Sequence, residues 1–138
     1  LIKENFYKKN SFINLFIFNF IELYFLKKFY QSNYKNKIYI NYSNFIKKFN
    51  PSLLTSPSRD NNSRLGKSLW VRNKLSPKPK VIFAYSKDKQ RYASPTSILI
   101  DDKPSNIEEW KAAGGIAFRV KNGDIVPALQ GLKELGYY

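Results

Sequence analysis

No cysteine, histidine or methionine occurs anywhere in this 138-residue chain. Without cysteine there is no disulfide, no thiolate nucleophile and no thiolate metal site. Without histidine there is no imidazole base, no Ser-His-Asp triad and no His-ligated zinc. Any chemistry must therefore use carboxylates, lysines, hydroxyls or a hard cation bound by oxygen. Acids are scarce too: ten Asp and Glu stand against 24 Lys and Arg, for a formal net charge of +14. The missing methionine extends to position 1, and a chain opening "LIKENF" reads as a fragment or a conceptual translation.

The absences are unevenly spread. Residues 1–50 lack Ala, Gly, Val, Asp, Pro, Thr, Arg and Trp, while Phe, Ile, Lys, Asn and Tyr fill 40 of the positions. Codons built only from A and T encode all five of those types. The plain reading is AT-rich DNA translated as a low-complexity extension, or sequence outside the true frame. Two functional readings compete with it. Residues 12–30, "FINLFIFNFIELYFLKKFY", resemble a membrane segment. Asn14, Asn19 and Glu22 nevertheless cut that stretch into pieces far shorter than the ~20 apolar residues of a spanning helix. A signal peptide is disfavoured by the missing small-residue cleavage site. The expectation is no membrane span and a cytoplasmic location. In the other reading, nine Lys and fifteen aromatics against Glu4 and Glu22 form a basic surface for nucleic acid or anionic lipid. Codon bias gives the same list, so this stands as the alternative.

Residues 51–138 hold all the Gly, Pro, Ala, Val, Arg and Asp, and their pattern predicts an α/β unit. Residues 52–54 read as a short apolar strand ending at Thr55-Ser56-Pro57. Asn62 or Ser63 can cap a helix whose apolar face is Leu65, Leu69, Trp70 and Leu75. "SPKPK" (76–80) breaks it. "VIFAY" (81–85) and "SILI" (97–100) read as strands covered on both faces, with the polar loop "SKDKQRYASP" between them. Ser105 and Glu108 have capping-box spacing, so a helix is expected to start at Ser105 and stop at Gly114 or Gly115. "IAFRV" (116–120) is a further strand, and residues 125–135 a closing helix. Strands alternating with helices imply a parallel sheet with right-handed crossovers. The expected fold is thus a partial doubly wound sheet of about four strands, with one edge and one face left open.

In such sheets ligands bind beyond the carboxyl ends of the strands. Thr55 and Ser56 stand at one such end, and Asp101 and Asp102 at another, with Lys87 and Lys89 in the loop leading to the second. Oxygen-only acids suit Mg²⁺, which takes carboxylates, water and phosphate oxygens. A lysine and a hydroxyl suit a phosphoryl group. The bland reading of the Asp pair is a turn that caps a helix; the hydroxyl and lysine placements favour a site.

The order "LLTSP…KSLWVRNKL…YSKDKQ…SILIDDKPSNIEEW" resembles the C-terminal half of the haloacid-dehalogenase phosphatases, most of all the 5′(3′)-deoxyribonucleotidase branch. The likeness covers roughly residues 51–120. It implies a Rossmann-like sheet and Mg²⁺-dependent hydrolysis of a phosphomonoester such as a nucleotide. Thr55, with Ser56 beside it, takes the place of the phosphate-binding hydroxyl. Lys89 matches the lysine that steadies phosphate and nucleophile, with Lys87 as the alternative. Asp101 and Asp102 match the Mg²⁺-binding pair, and Lys67 matches a basic residue after the hydroxyl motif. The family's nucleophile lies in an Asp-x-Asp motif after the first strand. Residues 1–50 contain no Asp, and Asp60 has no partner two positions on. The implied outcome is an incomplete phosphatase without turnover.

Overall fold

The computed structural model describes residues 14–17, 49–75, 78–122 and 124–136. It is an α/β fold built on one five-stranded sheet. In chain order the elements are β1 (Asn14–Ile17), β2 (Ser52–Thr55), α1 (Ser63–Lys74), β3 (Lys80–Phe83), a 3-10 helix (Ser86–Tyr92), β4 (Ser97–Asp101), α2 (Pro104–Ala112), β5 (Ile116–Arg119) and α3 (Val126–Glu134). The strand order is β3-β2-β1-β4-β5, and every pairing is parallel.

Four strands were expected, at 52–54, 81–85, 97–100 and 116–120, and all four form. The fifth, β1, comes from the AT-rich segment and takes the middle of the sheet. Its Phe16 and Ile17 are in register with Ser52 and Leu53 on one side and with Leu99 and Ile100 on the other. The open half-sheet expected from residues 51–138 is therefore closed at its centre.

Strand geometry sends successive side chains to opposite faces, and two cores result. Leu53, Ile98 and Ile100 face one way and pack with Val71 and Leu75 from α1 and with Ala128, Leu129 and Leu132 from α3. Leu54, Leu99 and Ala117 face the other way and pack with Ile107 and Trp110 of α2. Helices thus cover both faces. The continuous apolar runs of β2 and β4 are what such double coverage demands.

Two local expectations are corrected. Of the face expected for the first helix, Leu75 is buried and Trp70 packs partly against the same core, but Leu65 and Leu69 are 60% and 43% exposed. Val71, four residues before Leu75, joins it in the core, and Lys67, one turn earlier, faces the sheet end. The capping box at Ser105 does not form. The helix begins one residue earlier, at Pro104, and Lys103 in the cap position makes no side-chain cap bond. The Asp101 carboxylate accepts the Lys103 N–H at 2.9 Å, and proline pre-sets the first helical φ. Asp101 therefore starts α2 from the end of β4.

Gly114, at φ +92°, closes α2 in the left-handed region that favours glycine. The following Gly115 lies against the Trp110 indole, which a Cβ would strike. Trp110 is fully buried and its Nε1 donates to the Ser97 carbonyl at 3.4 Å, so it has little room to shift. Gly115→Ala is expected to cost about 1–3 kcal/mol through overpacking, read as a lower urea midpoint. An unchanged midpoint would show that the indole yields freely.

Candidate functional site

Thr55 ends β2 and Asp101 ends β4, so both stand at the carboxyl rim of the sheet, on the two strands that flank β1. Both are fully buried. A buried hydroxyl and a buried carboxylate require partners, and lysines supply them. Lys67 Nζ donates to Thr55 Oγ1 at 3.0 Å and also bonds the Ser56 carbonyl oxygen. Lys89 Nζ donates to Asp101 Oδ2 at 2.7 Å, and Lys89 itself is only 4% exposed. Asn106 Nδ2 adds a bond to the same Oδ2 at 3.1 Å.

These contacts form one cluster. Burial, and then the positive charge of Lys89, hold the Lys67 ammonium below its ordinary pKa. Burial raises the Asp102 carboxyl above its ordinary value, helped by a hydrogen bond to Asp101 and by the charge of Asp101; its own backbone N–H and Lys89 act the other way. Two ammoniums and two carboxylates thus sense one another across the rim. A cavity of about 360 Å³ opens there, lined by Ser56, Ser86, Lys89, Asp101, Asp102 and Asn106 among others. Of its lining residues, Ser56 and Asn106 each hold a buried side-chain oxygen, Oγ and Oδ1, without a hydrogen-bond partner.

The arrangement suits an oxyanion. Lys89 and the Ser56 hydroxyl can donate to ligand oxygens, and an anion would relieve the mutual repulsion of Lys67 and Lys89. Since Lys67 must stay protonated to attract it, anion binding is expected to weaken as pH rises toward the lowered Lys67 pKa.

Comparison of the chain with models of protein families, with curated proteins and with solved structures finds no match.

Thr55, Ser56, Lys89, Asp101 and Asp102 are brought together. Lys87 is not: it is exposed on the 3-10 helix, whereas Lys89 turns inward. Lys67 was matched only as a basic residue in the neighbourhood, and it is the group that fixes Thr55. Asn106 was missed altogether. Its signal was available, because residues 106, 107 and 110 share the buried stripe of α2, and an amide in such a stripe needs a polar partner.

Among the described residues, no group of three or more acids is placed to hold a metal ion, and no helix is long and apolar enough to cross a membrane. For Mg²⁺ the available donors are those of the aspartate pair. Asp101 already accepts from Lys89 and Asn106 at Oδ2 and from the Lys103 N–H at Oδ1, and it also hydrogen-bonds Asp102, so most of the remaining capacity is that of the Asp102 carboxylate. That set suits an ion shared with water and a bound phosphate, and a cation there would offset the negative charge of Asp101, which adds to burial in raising Asp102.

Proposed function

We propose that this chain binds phosphomonoesters, nucleotides foremost, at the rim cavity, as a relative of the haloacid-dehalogenase phosphatases that lacks the nucleophile. In this reading the sheet is the doubly wound sheet of that family. The observation that carries the reading is the convergence of Lys67, Lys89, Ser56 and the Asp101–Asp102 pair on the carboxyl ends of the strands beside β1.

The roles follow from the contacts. Lys67 clamps Thr55 and the Ser56 carbonyl, fixing the turn after β2 so that Ser56 lines the cavity with its hydroxyl unspent. Lys89 is held by Asp101 against the cavity wall, where its remaining N–H groups can meet phosphate oxygens. Asn106 holds Asp101 from the helix side. Asp101 and Asp102 would hold Mg²⁺, which when bound supplies charge neutralisation to the phosphate. What the reading lacks is an attacking carboxylate. The residues that follow β1 in sequence are Phe18, Asn19 and Phe20, and none of them carries a negative oxygen.

The test is a pair of measurements on the full chain in Mg²⁺. Calorimetry should show binding of inorganic phosphate and of dTMP, and a phosphate-release assay should show no turnover above background. Lys67→Gln should weaken phosphate binding about tenfold through loss of a nearby positive charge and of the clamp that holds Ser56 at the cavity. Absence of phosphate binding would overturn the site. Mg²⁺-dependent turnover abolished by Asp101→Asn would overturn the claim of inactivity.

A further inference from the structure

One strand outward from Thr55, the rim carries a second set of groups that the phosphate cavity does not use. Phe83 ends β3 in direct register with Thr55, which places the two about 4.8 Å apart across the sheet. The Arg64 guanidinium lies over the Phe83 ring, 5.2 Å from its centroid. Arg64 is three residues before Lys67 on α1, so the two project side by side with Cβ atoms about 5–6 Å apart. Cation over Phe83 and cation over Thr55 are thus successive members of one row. Arg64 is exposed, and neither ion pair formed among the described residues involves it. Its planar fork keeps its donors for an oxyanion.

Two residues after Phe83 in the chain comes an exposed aromatic. Tyr85 is 45% exposed although it directly precedes Ser86, which lines the cavity. An exposed aromatic next in the chain to a cavity-lining serine, and two residues from the ring under a second cation, is a combination suited to single-stranded nucleic acid, with bases stacked and backbone charges neutralised in step. A free mononucleotide has no second phosphate for Arg64. An extended strand has one.

We propose that the end of β3 is a second anion subsite, formed by Arg64 over Phe83 with Tyr85 beside it, and that the ligand is the phosphorylated end of a single-stranded nucleic acid. The terminal phosphate occupies the cavity, the next phosphodiester meets Arg64, and a base lies against Tyr85. The assignment rests on the phosphate reading of the cavity and names the class of ester it takes.

The experiment is fluorescence anisotropy on the full chain with a short labelled thymidine oligonucleotide, with and without a 5′-phosphate, and with dTMP and inorganic phosphate as competitors. The phosphorylated oligonucleotide should bind about tenfold more tightly than either dTMP or the unphosphorylated strand. Arg64→Gln, a change on an exposed side chain, should remove most of that advantage, lower the salt slope by about one and leave dTMP binding unchanged. Tyr85→Ala should weaken the oligonucleotide alone. If dTMP binds normally and Arg64→Gln leaves the oligonucleotide unaffected, the outer subsite is refuted while the cavity stands. If neither dTMP nor inorganic phosphate binds, the cavity reading falls and this one with it. Equal affinity with and without the terminal phosphate would assign the grip to the lysines of residues 1–50 and refute the proposal. Binding to anionic phospholipid vesicles that depends on Arg64 and Tyr85, without preference for the phosphorylated strand, would refute it in favour of a membrane surface.

Discussion

Lys89→Met is expected to unfold in urea with a stability about 3–5 kcal/mol below that of the unaltered chain. The reason is what the substitution leaves behind. Asp101 is fully buried and its carboxylate has one cationic partner, Lys89, at 2.7 Å. Methionine fills the space of the lysine stem but abandons the charge. The remaining bonds from Asn106 and the Lys103 N–H are neutral and do not replace it. Against a typical domain stability of about 5–15 kcal/mol, this is a large share. The partner experiment separates charge from packing. Lys89→Met combined with Asp101→Asn removes both charges while keeping a carbonyl that can accept from Lys103, so the double variant should recover a good part of the loss. A single-variant loss under about 1 kcal/mol, the range of exposed ion pairs, would mean that water from the cavity reaches the pair freely.

The second large effect is a gain. If the chain retains the phosphate half of a phosphatase, restoring carboxylates after β1 should restore turnover. Phe18→Asp with Phe20→Asp, assayed with dTMP in millimolar Mg²⁺, is expected to release phosphate at least ~10²-fold faster than the unaltered chain, the lower range for a positioned proton-transfer group. In that scheme a carboxylate oxygen at position 18 bonds to phosphorus as the ester P–O bond breaks. The leaving oxygen takes a proton from the carboxyl at position 20, and water then cleaves the acyl phosphate. Asp at position 20 alone should give nothing, because no nucleophile is present. Activity in the double variant that survives Asp101→Asn would disconnect it from the described site. A folded double variant that binds phosphate yet shows no turnover would count against the nucleotidase reading while sparing the anion cavity.

The rim was legible in the sequence because strand ends announce themselves. Apolar runs that stop at Thr55 and at Asp101 predict where side chains emerge, and both lie where expected. Lys89 over Lys87 was decided by the 3-10 helix, whose turn buries one and exposes the other; a residue spacing of two in an unassigned loop carries no such information. The α1 face was misread for a related reason. Leu65 and Leu69 were grouped with Leu75 by helical spacing, yet Val71 satisfies the spacing to Leu75 as well, and the need of Thr55 for a donor from Lys67 helps settle which side faces in. Position β1 was not legible at all. "NLFI" is indistinguishable by composition from the forty or so residues around it, and its place is set by pairing with strands far along the chain.

That placement has a consequence for how the protein is made. Strands β2 and β3 bond to each other, as do β4 and β5, and among the described residues the backbone ladders of the two pairs are joined through the four residues of β1. Two-stranded pieces are at best marginal alone. The keystone is synthesised first and must wait for Ser97–Ile100, its partners, so sheet closure is a long-range event and a slow one. Deuterium should therefore enter the amides of both outer pairs in a single concerted opening, timed by the loss of one short segment near the amino end.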